Sequence, residues 1–223
     1  MLAKKVVLIA ILFNIVANVY SSSDYTIELI TGKNLKQYLP FIAEQCITTF
    51  KEYPYLYCGD YEEEINFRTP LVELHDSSLA VAYYKGTVIG FLTGYKFTDF
   101  GSHFTKSIDL FIESGLKPEE YYYFGEIIIV PEHRGNHLSS KLFSVLESYA
   151  QKLGYKATCI VTEEHESHPL KPRNYPAHDS LWNFFGYQKT SLITYMNWQT
   201  YQSDGSVADQ MHPLTYWIKF ICD

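Results

Sequence analysis

The sequence predicts an α/β (α+β) protein, one domain with helices packed on a central sheet. Three observations lead there. The chain has 223 residues, 47% apolar and 19% charged, which is enough to bury a full core and excludes disordered and fibrous classes. Runs with strand periodicity alternate with runs of helical periodicity in the order β, α, α, β, β, β, α, β, α, β, β. One run, Tyr121 to Val130, is apolar almost without a break, as expected of a central strand covered on both faces.

The elements follow in order. Tyr25 to Ile30 alternates as a short strand. Asn34 is placed to cap a helix whose apolar face is Leu35, Leu39, Ile42, Ala43, Cys46 and Phe50. Asp60 to Ile65 reads as a second short helix, its acids at the positive end of the helix dipole. Leu79 to Tyr84 and Thr87 to Tyr95 flank Lys85-Gly86 as a hairpin. Residues 96–120 are polar and read as an insertion with a small helix. After the central strand and Pro131, Leu138 to Leu153 is amphipathic, with Leu138, Leu142, Val145, Leu146 and Tyr149 on one face. Gly154 ends it. Ala157 to Thr162 is a strand, and residues 163–176 form a proline-rich loop. Asp179 to Phe185 is a short helix stopped by Gly186. Tyr187 to Trp198 and Leu214 to Ile221 are the last strands.

The first 23 residues stand apart. Lys4-Lys5, an apolar stretch to Val19 interrupted by Asn14 and Asn18, and Ser21-Ser22-Ser23 form a signal-peptide pattern. The run is short for a membrane span. The expected organisation is therefore a signal-like segment over 1–23 and one domain over 24–223, with membrane contact only through the segment if it stays attached.

Twenty-five acids against 18 bases give a net charge of −7, and only Arg68, Arg134 and Arg173 are arginines. No nucleic-acid partner is expected, because phosphate binding needs a dense basic face. Four cysteines, Cys46, Cys58, Cys159 and Cys222, show no C-x-x-C spacing. A Cys46–Cys58 disulfide and buried reduced thiols both remain open, with thiols favoured at this chain length.

The informative segment is Ile127-Ile128-Ile129-Val130-Pro131-Glu132-His133-Arg134-Gly135-Asn136-His137-Leu138-Ser139. A buried strand feeds a tight loop and then a helix start. Such a loop converges backbone N–H groups where the helix dipole is positive, a geometry suited to pyrophosphate, and Arg134 sits in that loop.

This segment resembles the cofactor motif Q/R-x-x-G-x-G/A of the GNAT N-acetyltransferase superfamily, here Arg134-Gly135-Asn136-His137-Leu138-Ser139. Phe185-Gly186-Tyr187 also matches. The runs His168-Pro169-Leu170-Lys171-Pro172, Asp179-Ser180-Leu181-Trp182 and Pro213 to Lys219 are similar to a bacterial group of unassigned substrate. The resemblance covers roughly residues 25–221 and implies a GNAT acyl-CoA acyltransferase fold with a mixed, mostly antiparallel sheet. It implies acetyl-CoA as co-substrate, no metal, and transfer of acetyl to a primary amine on a small molecule or peptide. It implies cofactor contacts from Ile127, Ile129, Arg134, Gly135, Asn136, His137, Leu138 and Ser139, with the Ile129 N–H polarising the thioester carbonyl. His137 and Ser139 depart from the pattern. The histidine either hinders backbone approach to the phosphate or turns its ring away.

The reaction needs a base, since only a neutral amine attacks. Glu126 lies on the cofactor strand, where relatives often carry a basic glutamate, and apolar neighbours would raise its pKa. A structural glutamate is the equal alternative. Trp182 occupies the position at which many relatives place a tyrosine acid, leaving Tyr175 and His178 as substitutes. Tyr175 is taken as the candidate. The other reading is a GNAT-fold binding protein that is exported or has lost catalysis. Localisation is accordingly divided, with the N-terminus arguing for export and the cofactor for cytoplasm. A homodimer is compatible with the sequence.

Other signals carry less. His165-Glu166-Ser167-His168 is one residue short of a zinc helix, and Ser114-Gly115-Leu116-Lys117 lacks the companions of a serine hydrolase. Tyr121-Tyr122-Tyr123 reads as alternating strand faces or as a substrate wall. Asp60 to Glu64 reads as a solvated helix face, with cation recognition as the minor alternative.

Overall fold

A computed structural model describes residues 24–99, 105–163, 170–173, 175 and 178–221. The signal-like segment 1–23, the His165–His168 run and Cys222 lie outside the described residues.

The strands are β1 (Tyr25–Thr31), β2 (Ser78–Tyr84), β3 (Thr87–Lys96), β4 (Tyr121–Ile129), β5 (Ala157–Glu163), β6 (Gln188–Tyr201) and β7 (Val207–Phe220). The helices are α1 (Leu39–Phe50), α2 (Tyr61–Arg68), α3 (Thr105–Glu113), α4 (Leu138–Lys152) and α5 (His178–Phe184). One seven-stranded sheet runs β1-β2-β3-β4-β5-β7-β6. Every neighbouring pair is antiparallel except β4 and β5.

The central position expected for β4 is the one observed, and its residues alternate between two cores. Tyr122 and Phe124 meet Leu138, Leu142, Phe143 and Leu146 of α4 on one face. On the other, Tyr121 and Tyr123 meet Phe111 of α3, while Ile128 meets Ile42 and Cys46 of α1. The amphipathic stripe of α4 thus covers one side of the sheet, and α1 to α3 cover the other.

Two boundaries differ from expectation. Asn34 caps no α-helix: residues 32–38 form a 3-10 turn, and α1 begins at Leu39. Pro40 decides this, because proline is tolerated in a first helical turn but would break a helix already begun at residue 35. The last two strands are also longer than their apolar cores. β7 pairs with β5 only through Leu214, and its first residues pair with β6 alone as a projecting ribbon. The helix at Asp60 forms as read, with the Asp60 carboxylate accepting from the Glu62 and Glu63 amides at 2.9 and 3.0 Å. Cys46 and Cys58 are free thiols, so the disulfide alternative falls. Cys46 is buried beneath α1.

Candidate functional site

The two parallel strands in the middle of the sheet part early. β4 and β5 pair only at Tyr121↔Ala157, Tyr122↔Thr158 and Tyr123↔Cys159. Beyond Tyr123, β4 keeps β3 on one edge and loses β5 on the other. The Glu126 N–H bonds to Thr93 Oγ1 (3.0 Å) and the Val130 N–H to the Ile89 carbonyl (2.9 Å), both on the β3 side. Strand alternation then turns the main-chain groups of Ile127 and Ile129 to the open edge. At that edge Arg134 Nε donates to the Ile129 carbonyl at 3.0 Å, tying the following loop to the strand.

That loop runs through a 3-10 turn at Pro131–His133 into α4. Gly135 (φ +79°) and His137 (φ +57°) both adopt left-handed backbone. His137 therefore holds the conformation that glycine would supply, and its side chain is solvent-exposed. It sits at the N-cap of α4 with no side-chain bond to the first-turn amides. Asn136 Nδ2 braces the loop through the carbonyls of His133 (3.0 Å) and Arg134 (3.3 Å). Leu138 is buried in the core, so only its main chain is available to a ligand, and Ser139 is half-buried in the first turn. The sequence-predicted segment 134–139 is thus one exposed turn of uncapped amides at a helix N-terminus.

A cavity of about 460 Å³ opens beside the β4 edge. Phe50, Tyr55 and Tyr57 come from the end of α1 and the segment after it. Glu63, Glu64, Phe67 and Arg68 come from α2. Tyr95, Tyr123, Gly125 and Glu126 come from β3 and β4, and Trp198 from β6. Tyr123 lines the cavity, while Tyr122 faces the opposite core, as alternation requires.

Glu126 reaches the cavity through a β-bulge. Leu92 pairs with Ile127 and Gly94 with Phe124, so Gly125 and Glu126 together oppose Thr93. Bulges re-aim a side chain in this way. A Cβ on Gly125 would lie 2.5 Å from Thr93 Oγ1, so only glycine leaves the threonine where it is. Thr93 Oγ1 donates to Glu126 Oε2 at 2.7 Å, and Arg68 Nη2 to Oε1 at 2.7 Å. Burial pushes the Glu126 carboxyl up, but the Arg68 charge and the Thr93 bond outweigh it and hold it below the usual glutamate value. The raised pKa expected from apolar neighbours is therefore corrected. The neighbours in sequence are apolar, but the neighbour in space is a guanidinium.

Arg68 is 4% exposed and is forked between two carboxylates, with Nη1 on Glu64 and Nη2 on Glu126. Glu64 also accepts from the Tyr57 hydroxyl at 2.5 Å. It is buried, so the solvated face expected for 60–64 does not extend to it. Burial lifts its carboxyl above the ordinary value despite Arg68. Sequence reasoning missed Arg68. The available signal was its i,i+4 spacing from Glu64 on a helix.

Trp198 is held flat. Its ring stacks on His212 with centroids 3.6 Å apart and planes at 2°, and its Nε1 donates to the Tyr55 carbonyl at 3.0 Å. His212 Nδ1 bonds Glu163, and its Nε2 bonds Thr200 Oγ1 at 2.8 Å. Burial pushes the Glu163 carboxyl up to about 9. Tyr175 packs edge-on against Tyr53 at 4.6 Å rather than in the cavity lining, and burial pushes its hydroxyl up to about 12. The structure therefore brings Glu126 and the open edge of β4 together and sets Tyr175 to one side. Trp182, the replacement at the acid position, packs with Phe143 and Tyr187 in the core beneath α4.

Among the described residues, no three His, Cys, Asp or Glu side chains converge as a metal site, and no helix is long and apolar enough to cross a membrane. Residues 43–170 match the sequence profile of the acetyltransferase (GNAT) family. Similar solved structures include YncA of Salmonella typhimurium, a putative acetyltransferase with its cofactor acetyl-CoA (TM-score 0.54, 16% identity, covering 90% of this chain and 96% of that one). An N-acetyltransferase from Staphylococcus aureus Mu50 aligns at TM-score 0.54 and 15% identity over 90% and 100% of the two chains. A ribosomal-protein-alanine N-acetyltransferase from Brucella melitensis aligns at 0.54 and 14% over 87% and 98%. No curated protein matches the sequence significantly.

Proposed function

Because the chain belongs to the acetyltransferase (GNAT) family, we propose that it transfers the acetyl group of acetyl-CoA to a primary amine. The observation that carries this reading is the early parting of β4 from β5, which leaves the Ile127 main chain and the Ile129 N–H open beside a carboxylate-bearing cavity. The residues fit the cofactor. Two outward amides on one strand edge suit an extended amide-bearing arm, and the uncapped turn 134–139 suits a pyrophosphate. Bound there, acetyl-CoA would supply the acetyl group as a thioester.

The chain's own residues then have distinct tasks. The Ile129 N–H polarises the thioester carbonyl, and Arg134 adds charge beside the loop. Glu126 is ionised at neutral pH and takes the proton of the acceptor ammonium, directly or through a water. In the reaction a nitrogen–carbon bond forms, the carbon–sulfur bond breaks, and the sulfur gains a proton. That proton balances the one the nitrogen loses as the amide forms; Tyr175, the donor expected from the sequence, packs on Tyr53 outside the cavity lining and is not assigned the step.

The test is a melting curve with acetyl-CoA. Cofactor at 100 times its Kd adds about 2.7 kcal/mol of stability. No shift at millimolar acetyl-CoA overturns the proposal and favours a GNAT-fold binding protein without the cofactor. Release of thiol on adding amines is the second expected result.

A further inference from the structure

The cavity beside Glu126 has a composition that selects among amines. Seven of its sixteen described lining residues are aromatic, and Val161, Met196 and Leu214 add aliphatic surface. Among the described lining residues, three carboxylates, Glu63, Glu64 and Glu126, stand against one guanidinium, Arg68. That guanidinium is already forked between two of them. Among the described lining residues a cationic ammonium is therefore favoured at this end of the cavity, since an acceptor carboxylate would meet only the already forked Arg68.

The walls away from the carboxylates are flat and fixed. Trp198 is clamped by the His212 stack on one ring face and by the Tyr55 carbonyl at its Nε1. A clamped indole offers stacking area with little ordering to be lost on binding. Phe50, Phe67, Tyr95 and Tyr123 supply further aromatic surface around the same space. A flat apolar ring matches this aromatic surface better than a sugar's hydroxyls do, whereas a polyamine, whose further ammonium groups would meet Glu63 or a ring face, is the competing acceptor in the test.

We propose that the acceptor is a monoamine carrying one aromatic ring on a short alkyl chain, with its ammonium at Glu126 and its ring against Trp198 and Phe67. This rests on the acetyl-transfer reading above and narrows it. Recognition comes from the cavity walls, so the preference belongs to the acceptor and not to the cofactor arm.

The experiment is a thiol-release assay on the full chain at saturating acetyl-CoA. The probes are 2-phenylethylamine, n-butylamine and spermidine. The expected kcat/KM for 2-phenylethylamine is at least tenfold above either of the others. Phe67→Ala and Trp198→Ala should each shrink the aryl-over-alkyl ratio to below threefold, chiefly through the KM of the aryl amine. An acetyl-CoA melting shift retained in either variant establishes that it folds. Equal rates for aryl and alkyl amines, a preference for spermidine, or an intact ratio in both folded variants overturns the acceptor class while leaving acetyl transfer standing. Absence of both a cofactor melting shift and thiol release with every amine overturns acetyl transfer and the acceptor class together.

Discussion

Replacing Arg68 by methionine tests what holds the carboxylate in the bulge ionised. The arginine is 4% exposed and bonds Glu126 at 2.7 Å while also pairing with Glu64. Breaking a buried pair from one side costs about 3–5 kcal/mol, because the remaining charge is left unmatched. At roughly 2–4 °C per kcal/mol for a chain of this size, Tm should fall by about 6–20 °C at neutral pH. The pH dependence is more diagnostic than the size. In the native protein the Glu126 carboxyl sits below its unfolded value. It therefore contributes stability above the unfolded pKa of about 4.3, and this is lost as pH falls through the folded one. Without Arg68, burial is opposed only by the Thr93 and backbone hydrogen bonds, and the Glu126 carboxyl rises. The sign then reverses: the variant gains stability, relative to native, as pH falls and the carboxyl protonates. Glu64 also loses its Arg68 pair and rises further, so the same comparison in a Glu64→Gln background assigns the reversal to Glu126. Urea unfolding of both proteins from pH 4 to pH 8 reads the difference directly, and the acid limb of the acetylation rate should move to higher pH in parallel. A stability difference that is constant over this range would refute the reasoning. Arg68→Lys keeps a charge but not the fork, and should recover only part of the loss.

Other perturbations probe the remaining parts of the site. Glu126→Gln should leave the acetyl-CoA melting shift intact and lower turnover about 10²–10⁴-fold, as measured by thiol release, in keeping with loss of a general base. Gly125→Ala places a Cβ 2.5 Å from Thr93 Oγ1. It should destabilise by about 1–3 kcal/mol in denaturant unfolding, the range of a forced overpacking. His137→Gly keeps the left-handed turn without a side chain, so stability should change by less than about 1 kcal/mol and calorimetry should find acetyl-CoA affinity equal or improved. Weaker binding would show that the ring itself contacts the cofactor. His212→Ala removes the stack under Trp198 and one hydrogen bond from the buried, protonated Glu163 carboxyl, and should cost about 1–3 kcal/mol, read by thermal melting.

The layered fold was readable because its elements announce themselves through period and punctuation. The ten-residue apolar run of β4 and the stripe of α4 need no tertiary knowledge to place. The 134–139 turn was readable for the same reason, since proline, glycine and a helix start occur in one short window. The cavity was not. Arg68, Glu64, Thr93 and Trp198 come from four segments, and no local pattern ties them together. Glu126 shows the cost of reading a charge from its sequence neighbours: two apolar residues flank it, and the group that sets its ionisation is 58 positions away. Gly125 was the one local hint, because a glycine inside a strand often marks a bulge. The projecting β6–β7 ribbon was underestimated for a related reason. Its outer half mixes polar residues with isolated apolar ones, Val207 and Met211 among them, and carries no apolar run to mark it.

Three backbone rungs are all that join strands β1 to β4 to the three strands on the far side. The sheet is thus two wings sharing a short hinge, latched by the cluster beneath α4 that draws Leu142 and Phe124 together with Ile160 and Trp217. Hydrogen exchange should find its fastest amides in the core strands along the unpaired margin of Ile127 and Ile129. An occupant that zipped onto that margin would act as a strand of the sheet, so that tightening the protein and holding the guest become one event.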